Sequence, residues 1–301
     1  MHEGQVRVSA AALAAAVAAQ FPDQGEQTVR AVTSAGTVIA PFRVGPSLVA
    51  RLPLVPAGGD AVIERLEAER RHAQALSVQL PVEVPQLVGI GGPFAGYNGV
   101  WSLWTWLEGT SLDLLLDEGR ADYDHDALPV DLARVLNAHR SLPTRGASWS
   151  GGGRGGRPLA DSEWVRRSIE ASSHVVDPVA STHVWEAALA APGHAGPPVS
   201  INGDPMPGNL LVRDGRLSGL IDTGKPVTGD PASDLQPAWE LFDEPQRCAF
   251  REAIGLDAAA WERGRGWAFE MAIGGLHYYE QSNPVFFRLA RRTLERLLAT
   301  A

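Results

Sequence analysis

The 301-residue sequence has few of the residues from which several common kinds of site are built. A single cysteine, Cys248, excludes an internal disulfide and fits either a reducing cytoplasm or simple disuse of cysteine. The only lysine is Lys225, so a cation needed anywhere else must come from arginine or histidine. The HxxE spacings at His183 and His277 lack the second histidine of a zinc site, which leaves zinc catalysis little support.

The sequence also lacks an uninterrupted apolar run of about 18 residues, which a membrane-spanning helix needs. The apolar segment at 9–21 is rich in alanine, and Glu3 precedes it, whereas a signal peptide has a basic flank and a more apolar centre. We therefore predict a helix that is capped by Ser9 and packs on the smaller part of the protein. A cytoplasmic protein without a membrane partner is expected.

Most of the excess of acidic residues lies in the second part of the chain. Residues 1–106 carry eight acidic and seven basic side chains, whereas residues 107–301 carry 27 acidic and 19 basic ones. An acidic surface repels nucleic acid and admits cationic ligands, although it is also a common aid to solubility. The charge therefore argues against a nucleic-acid partner and permits a cationic small molecule. It does not specify an oligomeric state.

The first third of the chain has the pattern of a small sheet with one helix. Residues 29–55 are rich in β-branched and aliphatic residues between glycine-containing turns, which predicts three short antiparallel strands. A helix is predicted over 61–78, after Asp60 as its cap, and two further strands lie within 84–107. These elements form a smaller lobe at 1–107.

The remainder, 108–301, is predicted to be a larger and mostly helical lobe. Residues 128–142 and 161–172 have helical periodicity, and the glycine-rich run at 151–156 between them is interpreted as a loop. The fold class is therefore α+β.

A hairpin is predicted in the second lobe. Residues 209–212 and 217–222 are short, apolar and strand-like, and Asp214-Gly215 between them is a pair favoured in two-residue type I′ turns. The two arginines that flank the turn should pair with each other.

The register of this hairpin would bring three polar side chains together. It places Asn209 opposite Leu220 and Asp222 beside it at the open end, where the loop that carries Asp204 also arrives. Mg²⁺ binds carboxylate and amide oxygens together with substrate phosphates, which Asp222 and Asn209 can supply. Asp204 can accept the proton of an attacking hydroxyl. Asp-Gly and Pro-Gly are common turn dipeptides, and Asp204 followed by Asn209 would by itself more often be structural. The further aspartate at the end of an apolar hairpin, Asp222, makes the pattern rarer, and the whole pattern predicts phosphoryl transfer.

Two other segments approach different nucleotide-binding motifs. Residues 219–226, GLIDTGKP, approach the Walker A pattern, but Pro226 stands where a metal-binding hydroxyl belongs. Residues 89–96, GIGGPFAG, approach a dinucleotide fingerprint but lead into a strand instead of a helix. Both are interpreted as strand and turn segments.

The chain resembles the aminoglycoside phosphotransferase family of kinase-like enzymes. The family signature of HGDxxxxN, hairpin, IDFG and GDPxxDL corresponds here to NGDPMPGN at 202–209, IDTG at 221–224 and GDPASDL at 229–235. The likeness extends along nearly the whole chain, through SAGT at 34–37, VARLP at 49–53, WSLWTWLEG at 101–109 and RGRGWAFEMA at 263–272.

The resemblance implies a bilobal protein-kinase-like fold and an enzyme that moves the γ-phosphoryl group of ATP or GTP to a hydroxyl of a small molecule. Asp204 would be the catalytic residue, and Asn209 and Asp222 would bind Mg²⁺. The base would dock against the backbone of Trp104, Thr105, Trp106 and Leu107. The acceptor would be polyhydroxylated, and the acidic candidates to bind a cationic one are Glu240, Asp243, Glu270 and Glu280.

Kinase-like sites also need a cation on the third strand and an acid on the following helix that holds it. Because Lys225 lies elsewhere, this cation must be Arg51, and Glu69 is better spaced than Glu67 to be its partner. Without the two-lobed pattern, the same residues would be an ordinary strand end and a solvated helix face.

Three positions depart from the family signature. Asn202 replaces the histidine before Gly-Asp, Thr223 replaces an aromatic residue, and Val38-Ile39 replaces a polar pair. We expect Asn202 to take over the histidine's task of holding the catalytic loop, and Asp230, with Asp234, to cap and anchor a helix beneath it. The alternative is a nucleotide-binding protein with weak or no turnover. Related kinases act on homoserine, choline, sugars and antibiotics, so neither the acceptor nor a role in drug resistance follows.

Overall fold

A computed structural model describes residues 4–34, 36–147 and 159–299. The glycine-rich segment at 151–156 and Ala35 of the SAGT segment lie outside the described residues. Contacts divide the chain into two compact units. The described residues up to Val78, with Glu83–Glu108 and Ile221–Lys225, form the first unit; Gln79–Val82, Gly109–Leu220 and the residues from Pro226 onward form the second. The two predicted lobes, 1–107 and 108–301, are each continuous in sequence. In the structure, Gln79–Val82 belongs to the second unit and Ile221–Lys225 belongs to the first.

The first unit is an antiparallel sheet with two helices. The sheet has the order β1-β2-β3-β5-β4. Its strands are β1 Val29–Ala31, β2 Ile39–Val44, β3 Leu48–Pro53, β4 Leu87–Gly91 and β5 Trp101–Thr105. The helices are α1 Ala10–Gln20 and α2 Asp60–Gln79, and a short 3-10 helix spans Pro22–Gln24. The three predicted antiparallel strands at 29–55 are therefore confirmed, while α2 begins at Asp60 itself instead of after it.

The core of this unit lies between α1 and the sheet. Ser9 caps α1 as predicted, because its Oγ accepts a hydrogen bond from the N–H of Ala12 (3.2 Å). The buried face of α1, which includes Leu13 and Val17, packs in one cluster with residues of the sheet. Burial alternates along β3, so Arg51 is on the face opposite the buried neighbours on either side of it.

The second unit is mostly helical. Its helices are α3 Leu112–Asp117, α4 Ala127–Arg140, α5 Glu163–Ala171, α6 Pro178–Ala190, α7 Pro237–Glu240, α8 Glu244–Ile254, α9 Ala258–Tyr279 and α10 Pro284–Leu298. Its strands are β6 Thr110–Ser111, β7 Val199–Ile201, β8 Leu210–Arg213, β9 Arg216–Leu220 and β10 Val227–Gly229. The sheets are β6-β8-β9 and β7-β10, and 3-10 helices span Pro207–Asn209 and Pro231–Leu235.

Neither of the two segments that resemble other nucleotide motifs leads into the helix that the motif requires, although β9 ends at Leu220 and so is shorter than the predicted strand at 217–222. Lys225 is followed by β10 and not by a helix, and the glycines at 89 and 91 belong to β4. Within residues 4–34, 36–147 and 159–299, no helix combines the length and apolarity that crossing a bilayer requires.

Helix α9 approaches the 3-10 helix at 231–235 closely at Gly264. A Cβ atom at residue 264 would lie 2.6 Å from the Cβ of Leu235 and 3.1 Å from the carbonyl oxygen of Ala232. Only glycine fits here without displacing its neighbours.

We therefore expect Gly264→Ala to lower the free energy of unfolding by roughly 1–3 kcal/mol. Gly275→Ala in the same helix is the matched control, because the nearest atom to its Cβ would be 3.7 Å away. The control should raise the free energy of unfolding by up to about 1 kcal/mol through helix propensity. Denaturant unfolding measures both changes, and equal effects would contradict the close approach.

Candidate active site

The predicted turn of the hairpin is present. Asp214 and Gly215 have φ values of 52° and 79°, the positive pair that a type I′ turn requires. Arg213 lies opposite Arg216, as the sequence predicts.

The register farther along the hairpin differs from the prediction. A β-bulge at Ser218 leaves this residue without a partner in the ladder, and its hydroxyl donates to the carbonyl oxygen of Leu211 (3.2 Å). Leu220 therefore lies opposite Leu210 and not opposite Asn209. The sequence prediction was wrong here because it assumed a regular ladder.

Asn209 instead ends the 3-10 helix that precedes β8 and closes the loop that begins at Asp204. Its Nδ2 donates to the backbone oxygen of Asp204 (3.0 Å), and its own N–H donates to the carbonyl oxygen of Met206 (2.9 Å). This bond uses the donor group of the side-chain amide and leaves Oδ1 of Asn209 as its acceptor atom. Oδ1 is the atom that could bind a hard cation such as Mg²⁺.

The backbone around Asp204 is held by two side chains. Oδ1 of Asn202 accepts a hydrogen bond from the N–H of Asp204 (3.0 Å). The two carboxylate oxygens of Asp234 accept from the N–H groups of Asn202 and Gly203, at 2.8 Å each. Asn202, where the family signature has a histidine, thus contacts the backbone of the loop that carries Asp204.

Asp234 is fully buried, which raises its pKa to about 6 because the charged form loses its hydration. The two N–H donors and the positive charge of Arg140 oppose this increase and are outweighed. Hydrogen bonds from both N–H groups are strongest to the ionised carboxylate. They therefore favour the charged form of Asp234, whereas burial favours the protonated form.

A buried ion pair lies beside the 3-10 helix Pro231–Leu235, which contains Asp234. Asp230 caps that helix by accepting from the N–H of Ala232 (2.9 Å), as expected. Both of its carboxylate oxygens also accept from Arg263 of α9, at 2.6 and 3.1 Å. Arg263 was not singled out in the sequence, although it stands in the RGRGWAFEMA segment, where an arginine among buried apolar residues is the available signal.

A second set of predicted residues lies in the first unit. Nη2 of Arg51 donates to Oδ1 of Asp222 (2.7 Å), and its guanidinium group is 5.7 Å from the ring centre of Trp104. Glu69 forms its ion pair with Arg65 (3.7 Å). Burial raises the pKa of Glu69, while the positive charges of Arg51 and then Arg65 oppose the increase. Pairing of Arg51 with Glu69 on nucleotide binding stays a prediction.

The predicted base-docking segment runs from the end of β5 into the following connection, which includes Leu107. The N–H of Thr105 donates to Gln86 (2.9 Å) and that of Trp106 donates to Ser47 (2.7 Å), so neither donor is available to a base. A base would have to use other backbone groups of this segment.

Sequence reasoning missed one contact that fixes this connection. The guanidinium group of Arg43 lies 4.0 Å above the ring centre of Trp106 and forms an ion pair with Glu108 (2.8 Å).

The four acidic acceptor candidates differ in their surroundings. Asp243 caps α8 in a capping box with Gln246, and Oε1 of Glu280 is hydrogen-bonded to Nε2 of His174 (2.7 Å). Glu240 is buried in α7 and Glu270 is partly buried in α9. Asp243 and Glu280 therefore have local structural roles, and binding of an acceptor by any of the four stays a prediction.

A family model described as the phosphotransferase enzyme family, APH, matches residues 20–267. The chain belongs to this family. No curated protein sequence matches it significantly.

Solved structures of other phosphotransferases share the fold. The GDP complex of wild-type aminoglycoside 2'-phosphotransferase-IIIa has 19% identity and a TM-score of 0.67, over 97% of this chain and 99% of that one. The apoenzyme of macrolide 2'-phosphotransferase MphH from Brachybacterium faecium has 20% identity and a TM-score of 0.57, over 95% and 97%. The streptomycin-ATP-APH(2")-IIa ternary complex has 14% identity and a TM-score of 0.56, over 96% and 97%. The predicted kinase-like α+β fold is therefore confirmed.

In this APH chain, we expect Asn202→Ala to lower kcat about tenfold, because the N–H of Asp204 loses the side chain that accepts its hydrogen bond. Asn202→His restores the family residue and should fold normally and keep or raise turnover. Hydrogen exchange at the amide of Asp204 supplies a readout besides activity and should accelerate in Asn202→Ala alone. A large loss of activity in Asn202→His would show that asparagine has acquired a role of its own.

The raised pKa of Asp234 predicts a pH-dependent contribution to stability. Its value of about 6 in the folded protein exceeds the usual 3.8, so folding favours the protonated form between these values. The free energy of unfolding should therefore decrease by about 3 kcal/mol as the pH rises from about 4 to about 6, relative to Asp234→Asn. Denaturant unfolding of both proteins at several pH values tests this. A difference that increases with pH would show that the loop's hydrogen bonds outweigh burial.

Proposed function

We propose that this protein is a kinase that transfers the γ-phosphoryl group of ATP or GTP, with Mg²⁺, to a hydroxyl of a small polyhydroxylated molecule. Family membership supports a phosphotransferase acting on small molecules. The observation that carries the proposal is the closed loop from Asn202 to Asn209, whose hydrogen bonds fix the backbone on both sides of Asp204. A reducing compartment that supplies nucleoside triphosphates, the cytoplasm, suits such an enzyme.

The residues in both units fit the parts that this chemistry needs. Asp204 would orient the acceptor hydroxyl and accept its proton. Asn209 and Asp222 offer an amide and a carboxylate oxygen to Mg²⁺, which would neutralise charge on the phosphates when bound. Arg51 would hold the phosphates, in the place where related enzymes have lysine. The rate would come from positioning and from charge stabilisation.

Similar structures guide the choice of acceptors. Three solved structures with this fold are complexes with kanamycin, gentamicin and streptomycin, and two others are macrolide phosphotransferases. The acidic second part of this chain suits cationic amino sugars better than anionic metabolites. We therefore propose an amino sugar or a related polyhydroxylated compound, and binding should weaken as the salt concentration rises.

The alternative is a nucleotide-binding protein with little turnover, which the changes at Asn202 and Thr223 suggest. The hydrogen bond from Asp204 N–H to Asn202 favours an active enzyme, because the loop retains a side chain that holds it. Phosphate transfer by the pure protein, measured with amino sugars, macrolides and polyhydroxylated metabolites, decides between the two. Nucleotide binding without transfer to any of them would support the alternative.

Substitutions at the two aspartates separate catalysis from binding. Asp204→Asn should lower the single-turnover rate by about 10² to 10⁴ and leave affinity for Mg²⁺ and nucleotide nearly unchanged. Asp222→Asn removes a charged metal ligand, so nucleotide binding should weaken and require more Mg²⁺. Nucleotide titrations at several Mg²⁺ concentrations, followed by single-turnover rates, measure both effects. Equal weakening of nucleotide binding by the two variants would sink this assignment.

A further inference from the structure

Arg51 is bonded to one of the two proposed metal ligands. The contact joins one nitrogen, Nη2, to one carboxylate oxygen, Oδ1 of Asp222, at 2.7 Å. The side chain of Asp222 is 54% exposed. An exposed ion pair of this kind contributes only about 0–1 kcal/mol to stability. It neutralises Asp222 and can still be displaced by a ligand that binds either partner more strongly.

The backbone presents Asp222 in an unusual conformation. Its φ of 55° lies in the left-handed region, which residues other than glycine rarely adopt. Such backbone strain is concentrated at functional sites. The residue whose carboxylate is hydrogen-bonded to Arg51 therefore has an unfavourable backbone conformation.

A second carboxylate lies within electrostatic range of Arg51. Glu69 of α2 experiences the positive charge of Arg51 and the negative charge of Asp222, so the three groups interact electrostatically. A small pocket between the sheet and α2 is lined by Arg51 and by Arg65 of α2.

We propose that Arg51 is the resident cation of Asp222, and that it must leave this carboxylate before a divalent cation can bind there. This inference rests on the proposed function. A divalent cation alone competes with a guanidinium group already in place. Nucleotide phosphates attract that group, because its planar fork can form two bonds to a phosphate and only one to Asp222 here. Metal and nucleotide therefore bind together, and the metal binds poorly by itself.

Binding of Mn²⁺ without nucleotide tests this directly, since Mn²⁺ takes similar oxygen ligands and its binding is visible by electron paramagnetic resonance. The wild type should bind Mn²⁺ weakly. Arg51→Gln should bind it about tenfold more tightly or better, and the gain should vanish in the Arg51→Gln/Asp222→Asn double variant. Arg51→Lys keeps the charge and should resemble the wild type.

Arg65→Gln is the matched control. It removes another positive charge that acts on Glu69 without touching Asp222, so it should leave Mn²⁺ binding unchanged. If it strengthens Mn²⁺ binding as much as Arg51→Gln does, net charge explains the effect and the proposal is wrong. The same holds if Arg51→Gln binds Mn²⁺ no more tightly than the wild type.

A non-hydrolysable triphosphate analogue distinguishes this inference from the proposed function. The wild type should bind Mn²⁺ about tenfold more tightly with the analogue than without it, and Arg51→Gln should show a smaller gain. If the analogue does not bind to the wild type at all, the proposed function fails. If it binds but leaves the affinity for Mn²⁺ unchanged, only the exchange of partners by Arg51 fails.

Discussion

The backbone of the loop that carries Asp204 is held by one buried carboxylate. Asp234 binds the peptide N–H groups of Asn202 and Gly203, and Asn202 in turn binds the N–H of Asp204. These bonds place the backbone of Asp204 relative to the 3-10 helix at 231–235. That helix is itself held by Asp230 and its ion pair with Arg263 of α9. A chain of buried and partly buried polar contacts therefore connects α9 to the proposed catalytic residue.

Local signals predicted local structure well. The Asp214-Gly215 pair, the cap at Ser9 and the strands at 29–55 each depend on a few neighbouring residues, and each is found in the structure. The hairpin register failed at Ser218, where a side-chain hydroxyl satisfies a backbone carbonyl and a regular ladder is lost. No spacing rule in the sequence identifies such a bulge, because both strands keep their apolar pattern.

Hydrogen-bond partners that are far apart in the chain were the larger part of what the sequence did not predict. The bonds from Asp234 to residue 203 and from Arg263 to Asp230 join positions more than 30 residues apart. The first needs the loop after β7 to lie against the 3-10 helix at 231–235, and the second needs α9 to pack on it. The number of acidic residues in the second part of the chain also did not distinguish side chains that could bind a ligand from side chains with a structural role. Asp243 completes a capping box and Glu280 meets His174, which are uses that a tally of acidic residues does not distinguish from a binding surface.

The arginine at residue 51 has a consequence for chemical labelling. Reagents that deliver an acyl group from a nucleotide to a nearby amine need a lysine, and a guanidinium group remains protonated and unreactive under the same conditions. The only lysine here is Lys225, which follows the Asp222 segment and is not on β3. Surveys of kinases that rely on acylation of a lysine on the third strand would therefore find no target at this position. Arginine-directed dicarbonyl reagents, applied with and without nucleotide, suit this site better.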